Sequence, residues 1–393
     1  MTQKRLTQRV VQVQQAFRAE FGSEPAVVIR APGRVNLIGE HTDYNDGFVL
    51  PAAIDRCALV AAGLRADRQV HIHALDVNAQ STFRLDDVSE EGVSRHDDWS
   101  DYPRGVAWAL QGRGMALAGM NAVLTSDVPV GAGLSSSAAI EVAFAYAWQQ
   151  LSGFALSRTD LALTCQRAEN EFVGVNCGIM DQFISALGQA GHALLIDCRS
   201  LAHEAVAVPE GVSIVICDSM KRRGLVDSAY NERRQECQTG VSLLQHRLPG
   251  ITALRDVTPD DLAQFGDALP APVDRRVRHV VRENWRVHAF ANALRQDEQL
   301  TAGRLMNDSH ASLRDDYEVS CAELDALVEA AWAAPGVYGS RMTGAGFGGC
   351  TVSLVADDAV KAFGQSIQTT YEARTGLTPH IYISRPSQGV SVV

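Results

Sequence analysis

The chain has 393 residues, 46% of them hydrophobic and 21% charged, with a formal net charge of −11. That length exceeds one ordinary core and predicts two or three domains with a cleft available between them, and the composition argues against a disordered chain. The acidic balance argues against nucleic acid as a partner, which needs a basic face, and no run of about 18 apolar residues is present to span a bilayer.

The N-terminus mixes Lys4, Arg5 and Arg9 with glutamines and lacks the apolar stretch of a secretory signal, so a cytoplasmic location is expected. Leu6, Val10, Val13, Phe17 and Phe21 recur at helical spacing and predict an amphipathic helix over 3–21, stopped at Gly22. Strand-like runs follow at 27–29, 50–64, 70–74 and 121–124, then a helix from about 136 to 151. Ser157 and Asp160 form an acidic variant of the capping box for a helix carrying Leu161, Cys165, Ala168 and Phe172 on one face. Strands return at 193–196 and 212–217, and beyond about 228 helices are expected at 276–294, 298–319 and 322–333. A Gly-rich block, a strand over 350–355, a helix over 358–374 and a closing strand at 380–384 complete the chain. The fold class is α+β in two lobes, residues 1–205 and 206–393. The eight cysteines include no Cys-x-x-Cys pair and no zinc-like Cys/His spacing, so reduced thiols are expected.

Several blocks carry polar chemistry. Residues 33–47 gather Arg34, Glu40, His41, Asp43 and Asn45 between apolar runs at 26–29 and 48–54. Donors and acceptors aimed in many directions suit a polyhydroxylated ligand such as a sugar, although Asn, Asp and Gly are equally the residues of a solvated turn. Residues 131–137, Gly-Ala-Gly-Leu-Ser-Ser-Ser, follow an apolar strand and open an Ala-rich helix, where free amides and the positive helix end can hold phosphate. A plain helix N-cap is the alternative reading, and the lysine of a Walker loop is missing. The block 344–349 fits Gly-x-Gly-x-x-Gly but runs into a strand, so a dinucleotide-binding reading fails on context. Taken singly, Asp181 reads as a first-turn cap, Glu169 as part of a solvated face and Tyr230 as a core aromatic.

Residues 33–47 resemble, without a break, the signature of the galactokinases, a family within the GHMP small-molecule kinases. Residues 129–139 and 342–350 resemble the superfamily's other two motifs in order and spacing, and the likeness continues through 177–182, 228–234 and 309–316. The resemblance implies two α+β lobes with the active site between them, and transfer of phosphate from ATP to the anomeric hydroxyl of galactose. It implies Asp181 as catalytic base, with Arg34 stabilising the alkoxide and the transferring phosphoryl group. It implies Glu40, His41, Thr42, Asp43, Gly178 and Tyr230 as sugar contacts, and Gly131, Ala132, Gly133, Leu134, Ser135, Ser136 and Ser137 as the ATP phosphate loop. It also implies Mg2+ on Ser137 and Glu169, two oxygen ligands being enough for an ion that keeps waters and binds nucleotide phosphates.

A monomer is expected, with galactose and ATP as small-molecule partners and neither nucleic acid nor a membrane. Residues 99–105 depart from the family, which usually has Asn at position 101 and an aliphatic residue at 103; Pro103 removes an amide donor, so contacts to the nucleotide base are not carried over. Two other readings remain, a kinase for another acceptor such as N-acetylgalactosamine or mevalonate, and a sensor that binds galactose and ATP without catalysis. Residues 40–43 disfavour mevalonate, and Arg34, Asp181 and the intact 131–137 block disfavour the sensor.

Overall fold

A computed structural model describes residues 3–88, 95–222 and 226–393. The periodic N-terminal segment forms α1 (Gln3–Phe21), which buries Val13 and Phe17 and ends at Gly22 in a left-handed conformation. Next come β1 (Val27–Asn36), β2 (Phe48–Val49), β3 (Pro51–Arg65), β4 (Gln69–Ala74) and β5 (Ala79–Arg84). They are followed by α2 (Asp101–Gly112), β6 (Gly119–Ser126), α3 (Ser136–Ser152), α4 (Arg158–Arg167) and α5 (Met180–Leu187). Strands β7 (His192–Asp197), β8 (His203–Ala207) and β9 (Val212–Asp218) precede the helical stretch α6 (Val226–Leu244), α7 (Pro259–Phe265), α8 (Val273–Arg295), α9 (Gln299–Asp315) and α10 (Ala322–Trp332). The chain closes with β10 (Val337–Thr343), β11 (Cys350–Ala356), α11 (Val360–Thr375), β12 (His380–Ser384) and β13 (Ser391–Val392).

The strands form a six-stranded sheet ordered β13-β1-β3-β6-β4-β5, a four-stranded sheet ordered β10-β11-β9-β12 and a three-stranded sheet ordered β2-β7-β8. The pairing is antiparallel except between β4 and β6. One apolar core runs from β1 and β3 through α3 and α5 to Val287 and Phe290 of α8 and Val352 of β11, so the two halves share an interior. Among the described residues no helix is long and apolar enough to cross a membrane, and no disulfide joins any of the eight cysteines.

Three departures from the sequence reading shape the site. First, β1 runs on through Asn36, so Arg34 projects from a strand and not from a loop. The pairing of β1 with β3 shifts between Pro32 and Arg34, and a Cβ on Gly33 would come within 2.6 Å of the Leu134 carbonyl, so only glycine lets this strand lie against the 131–137 loop. Second, residues 101–112 are helical: Pro103 sits in the first turn, where no amide is needed, and the Asp101 carboxylate accepts from the amides of His96 and Asp97. Third, β12 does not end the fold; the chain returns to the first half, where Ile29 of β1 faces Val392 of β13.

Candidate active site

A cavity of about 430 Å³ collects side chains from both halves of the chain. At its centre, Asp181 occupies the first turn of α5 and meets Arg34 of β1 in a two-pronged pair, Nε to Oδ1 at 2.7 Å and a terminal nitrogen to Oδ2 at 2.8 Å. The other Arg34 nitrogen donates to the Gly133 carbonyl at 2.5 Å, and the Ser135 hydroxyl donates to Asp181 Oδ2 at 2.5 Å. Ser135 adopts a left-handed backbone (φ 60°), unusual for a residue with a side chain, just before α3 begins. The 131–137 loop therefore holds the carboxylate as well as facing the cavity, a contact that no local sequence pattern announces.

Glu40, His41, Asp43, Gly178 and Tyr230 all line the cavity. Asp43 lies so close to Gly178 that a Cβ there would fall 1.8 Å from its Oδ2. Burial and the nearby Asp181 push the Asp43 carboxyl up to about 7. Burial, together with His279, holds His41 well below the usual histidine range, so its imidazole is neutral. His41 Nδ1 is 2.8 Å from the Tyr44 hydroxyl, which lies 2.8 Å from that of Tyr317, and the Tyr230 ring stacks obliquely 5.7 Å from the His41 ring. Thr42 corrects the expectation for it. The residue is wholly buried outside the lining, and its hydroxyl donates to the carbonyls of Gly39 and Phe48, so it closes the loop and makes no wall of the cavity.

Glu40 joins the two halves. Its Oε1 accepts from the Thr343 hydroxyl at 3.0 Å and the Gly344 amide at 2.7 Å, both from the Gly-rich third block, while Gly344 and Ala345 also line the cavity. Behind it, Glu283 of α8 accepts from the Gly39 amide at 3.0 Å and the Ser309 hydroxyl at 2.6 Å, and pairs with Arg286 at 2.6 Å. Arg286, with smaller contributions from His279 and Arg341, outweighs the burial of Glu283 and holds its carboxyl down at about 2.

On the opposite wall Gly131, Gly133, Leu134, Ser135, Ser136 and Ser137 lead into α3, with both glycines at positive φ. The Ala132 methyl is packed into the core outside the lining, which leaves its backbone for the role expected of this loop. Glu169 sits on a wide turn that continues α4, its side chain buried and not on a solvated face. Burial and Asp181 raise its carboxyl to about 7, and the Ser137 hydroxyl bonds to it. Among the described residues no three His, Cys, Asp or Glu side chains cluster to hold a metal. Glu169 with Ser137 is nonetheless a pair of hard oxygen donors in a pocket short of positive charge, which fits an ion that takes its remaining ligands from water and phosphate. Tyr102, Val130 and Val175 add apolar surface to the lining, and the sequence reading singled out none of them.

Residues 15–64 match the galactokinase galactose-binding signature, 101–189 the N-terminal domain of GHMP kinases and 290–373 their C-terminal domain. A galactokinase of Roseiflexus sp. (strain RS-1) is 52% identical over 97% of both chains. The chain belongs to the galactokinase family. A galactokinase of Chloroflexus aggregans is 51% identical over 96% of both chains. The galactokinase of Lactococcus lactis, solved with galactose, is 36% identical and superposes with a TM-score of 0.92 over 97% of this chain and 98% of that one. The galactokinase signature spans Arg34, Glu40, His41 and Asp43, the part of the cavity richest in side-chain donors and acceptors.

Proposed function

We infer that the protein transfers the γ-phosphoryl group of ATP to the anomeric hydroxyl of galactose, giving galactose 1-phosphate and ADP. The observation that carries this reading is the Asp181 carboxylate, gripped by Arg34 and Ser135 between a polar sugar-sized wall and a phosphate loop. The family's relatives are galactokinases, and one was solved with galactose.

In this reading Glu40, His41, Asp43 and Tyr230 exchange hydrogen bonds with the sugar hydroxyls, while Gly178 leaves room for Asp43. Asp181 accepts the anomeric proton as the sugar oxygen bonds to phosphorus and the bond to the ADP oxygen breaks. Arg34 orients the Asp181 carboxylate through its two-pronged pair and places positive charge beside the developing alkoxide. Residues 131–137 receive the nucleotide phosphates on backbone amides at the start of α3. Glu169 and Ser137 would hold Mg2+, which when bound would neutralise charge on the phosphates.

The test is ADP release from Mg-ATP with galactose, glucose, N-acetylgalactosamine or no sugar, with Asp181→Asn as control. Release should depend on galactose, and the variant should keep both ligands while losing about 10²- to 10⁴-fold in turnover. Saturable sugar binding by the wild type with no ADP release would overturn the reading.

A further inference from the structure

Behind the cavity wall, next to Asp181, the wholly buried Gln182 joins two carboxyl groups. Its side-chain nitrogen lies 2.5 Å from Glu169 Oε2 and 3.1 Å from Oε2 of Glu141, which is wholly buried on α3. An amide nitrogen has two hydrogens and here meets two acceptors, so its donor capacity is fully used. Among the described residues neither Gln182 Oε1 nor Glu141 Oε1 has a hydrogen-bond partner. Two buried carboxyl groups linked through one amide, at the cost of two unpartnered oxygens, need a reason that packing does not supply, since an apolar trio would avoid that cost.

We propose that Gln182, anchored by Glu141, is a positioning residue for Glu169, fixing the carboxylate rotamer that meets Ser137 and the cation. The proposal rests on the reading of Glu169 as a Mg2+ ligand. The amide at 2.5 Å, with the Cys177 thiol a longer 3.5 Å away, ties Oε2 to the wall from behind and leaves the remaining acceptor capacity of the carboxylate to the cavity side. Without the amide, Glu169 keeps only the long thiol contact from Cys177, and the ion meets a side chain that must be ordered on binding. Partners of this kind commonly contribute about 10- to 100-fold in metal affinity. Glu141 acts one step further out, as the acceptor that stops the amide from turning away.

Mn2+ serves as a spin-active probe for the site, and its binding to the full-length protein with ADP and galactose is measured by electron paramagnetic resonance. Gln182→Met, which keeps length and removes the donor, should weaken Mn2+ about 10- to 100-fold and leave galactose affinity within about twofold. Glu141→Leu should weaken Mn2+ in the same direction, and Glu141→Gln, which keeps an acceptor, should restore it. Glu169→Gln calibrates the site. If Glu169→Gln weakens Mn2+ while Gln182→Met and Glu141→Leu leave it unchanged, the positioning role is overturned. If Glu169→Gln also leaves Mn2+ unchanged, the metal assignment beneath it fails.

Discussion

Asp43 is required by the sugar-site reading and is a burden to the empty fold, and the two roles separate with pH. Its carboxyl is raised from 3.8 to about 7, first by burial and then by Asp181. Between pH 4 and pH 7 the unfolded chain gives up this proton while the folded chain keeps it, so stability falls as pH rises and the full cost is present above pH 7. A shift of about 3 units at 1.36 kcal/mol per unit sets a ceiling of about 4 kcal/mol. Asp43 is partly exposed in a cavity open to water, which halves this to about 2 kcal/mol. Asp43→Asn should therefore stabilise the ligand-free protein at pH 8, by about 2 °C in Tm for an unfolding entropy near 2.1 cal/mol/K per residue. The gain should shrink to about a quarter near pH 4.5, while KM for galactose rises at least about tenfold with loss of the charged acceptor. Thermal melts of both proteins from pH 4.5 to 8, taken as differences, cancel the titrating groups that Asp43 does not touch. A gap that does not change with pH, or a variant less stable than wild type at pH 8, would refute the reasoning.

Other substitutions probe single contacts. Gly178→Ala puts a methyl into the space of the Asp43 carboxylate, so KM for galactose should rise about tenfold or more with KM for ATP little changed; equal shifts in both would point to general collapse of the wall. Ser135→Ala removes a donor to Asp181 and should lower kcat about 10- to 100-fold, the worth of a hydrogen bond to a charged group, with KM for galactose within about twofold. Glu40→Gln weakens the hold on the Gly344 amide as well as the sugar wall and should raise KM for both substrates; a change for galactose alone would show that the bridge to the third block carries no coupling.

What the sequence disclosed followed the distance between partners. Arg34, Glu40, His41 and Asp43 are nearly consecutive, so their shared chemistry is visible before folding. Gln182 and Glu141 are 41 positions apart, and Glu283 is 244 from the amide it holds; each sits inside a helix whose local pattern gives no reason to single it out. Thr42 and Ala132 show a second limit, since membership of a motif says nothing of which way a side chain turns, and both turn inward. Pro103 hid α2 because proline reads as a breaker, yet the first helical turn has amides to spare. Strand β13 has only two residues, too few for any alternation, and exists because β1 offers a free edge.

The charges behind the sugar loop show why the site needs both halves of the chain. Buried ion pairs such as Glu283 with Arg286 rarely stabilise more than well-packed apolar residues of the same size. Their value here lies in the backbone they hold. Past the end of β1 the chain turns through Gly39 (φ 97°) and His41 (φ 63°), where sheet pairing no longer supplies partners. The Asn36 carbonyl accepts from Arg341 and Thr343, the Gly39 amide donates to Glu283, and the Glu40 carbonyl meets His279. Every one of those partners comes from the second half. The left-handed turn that aims Glu40 and His41 into the cavity is thus paid for by α8 and β10, and galactokinase signature residues without those elements would lack the conformation that makes them a site.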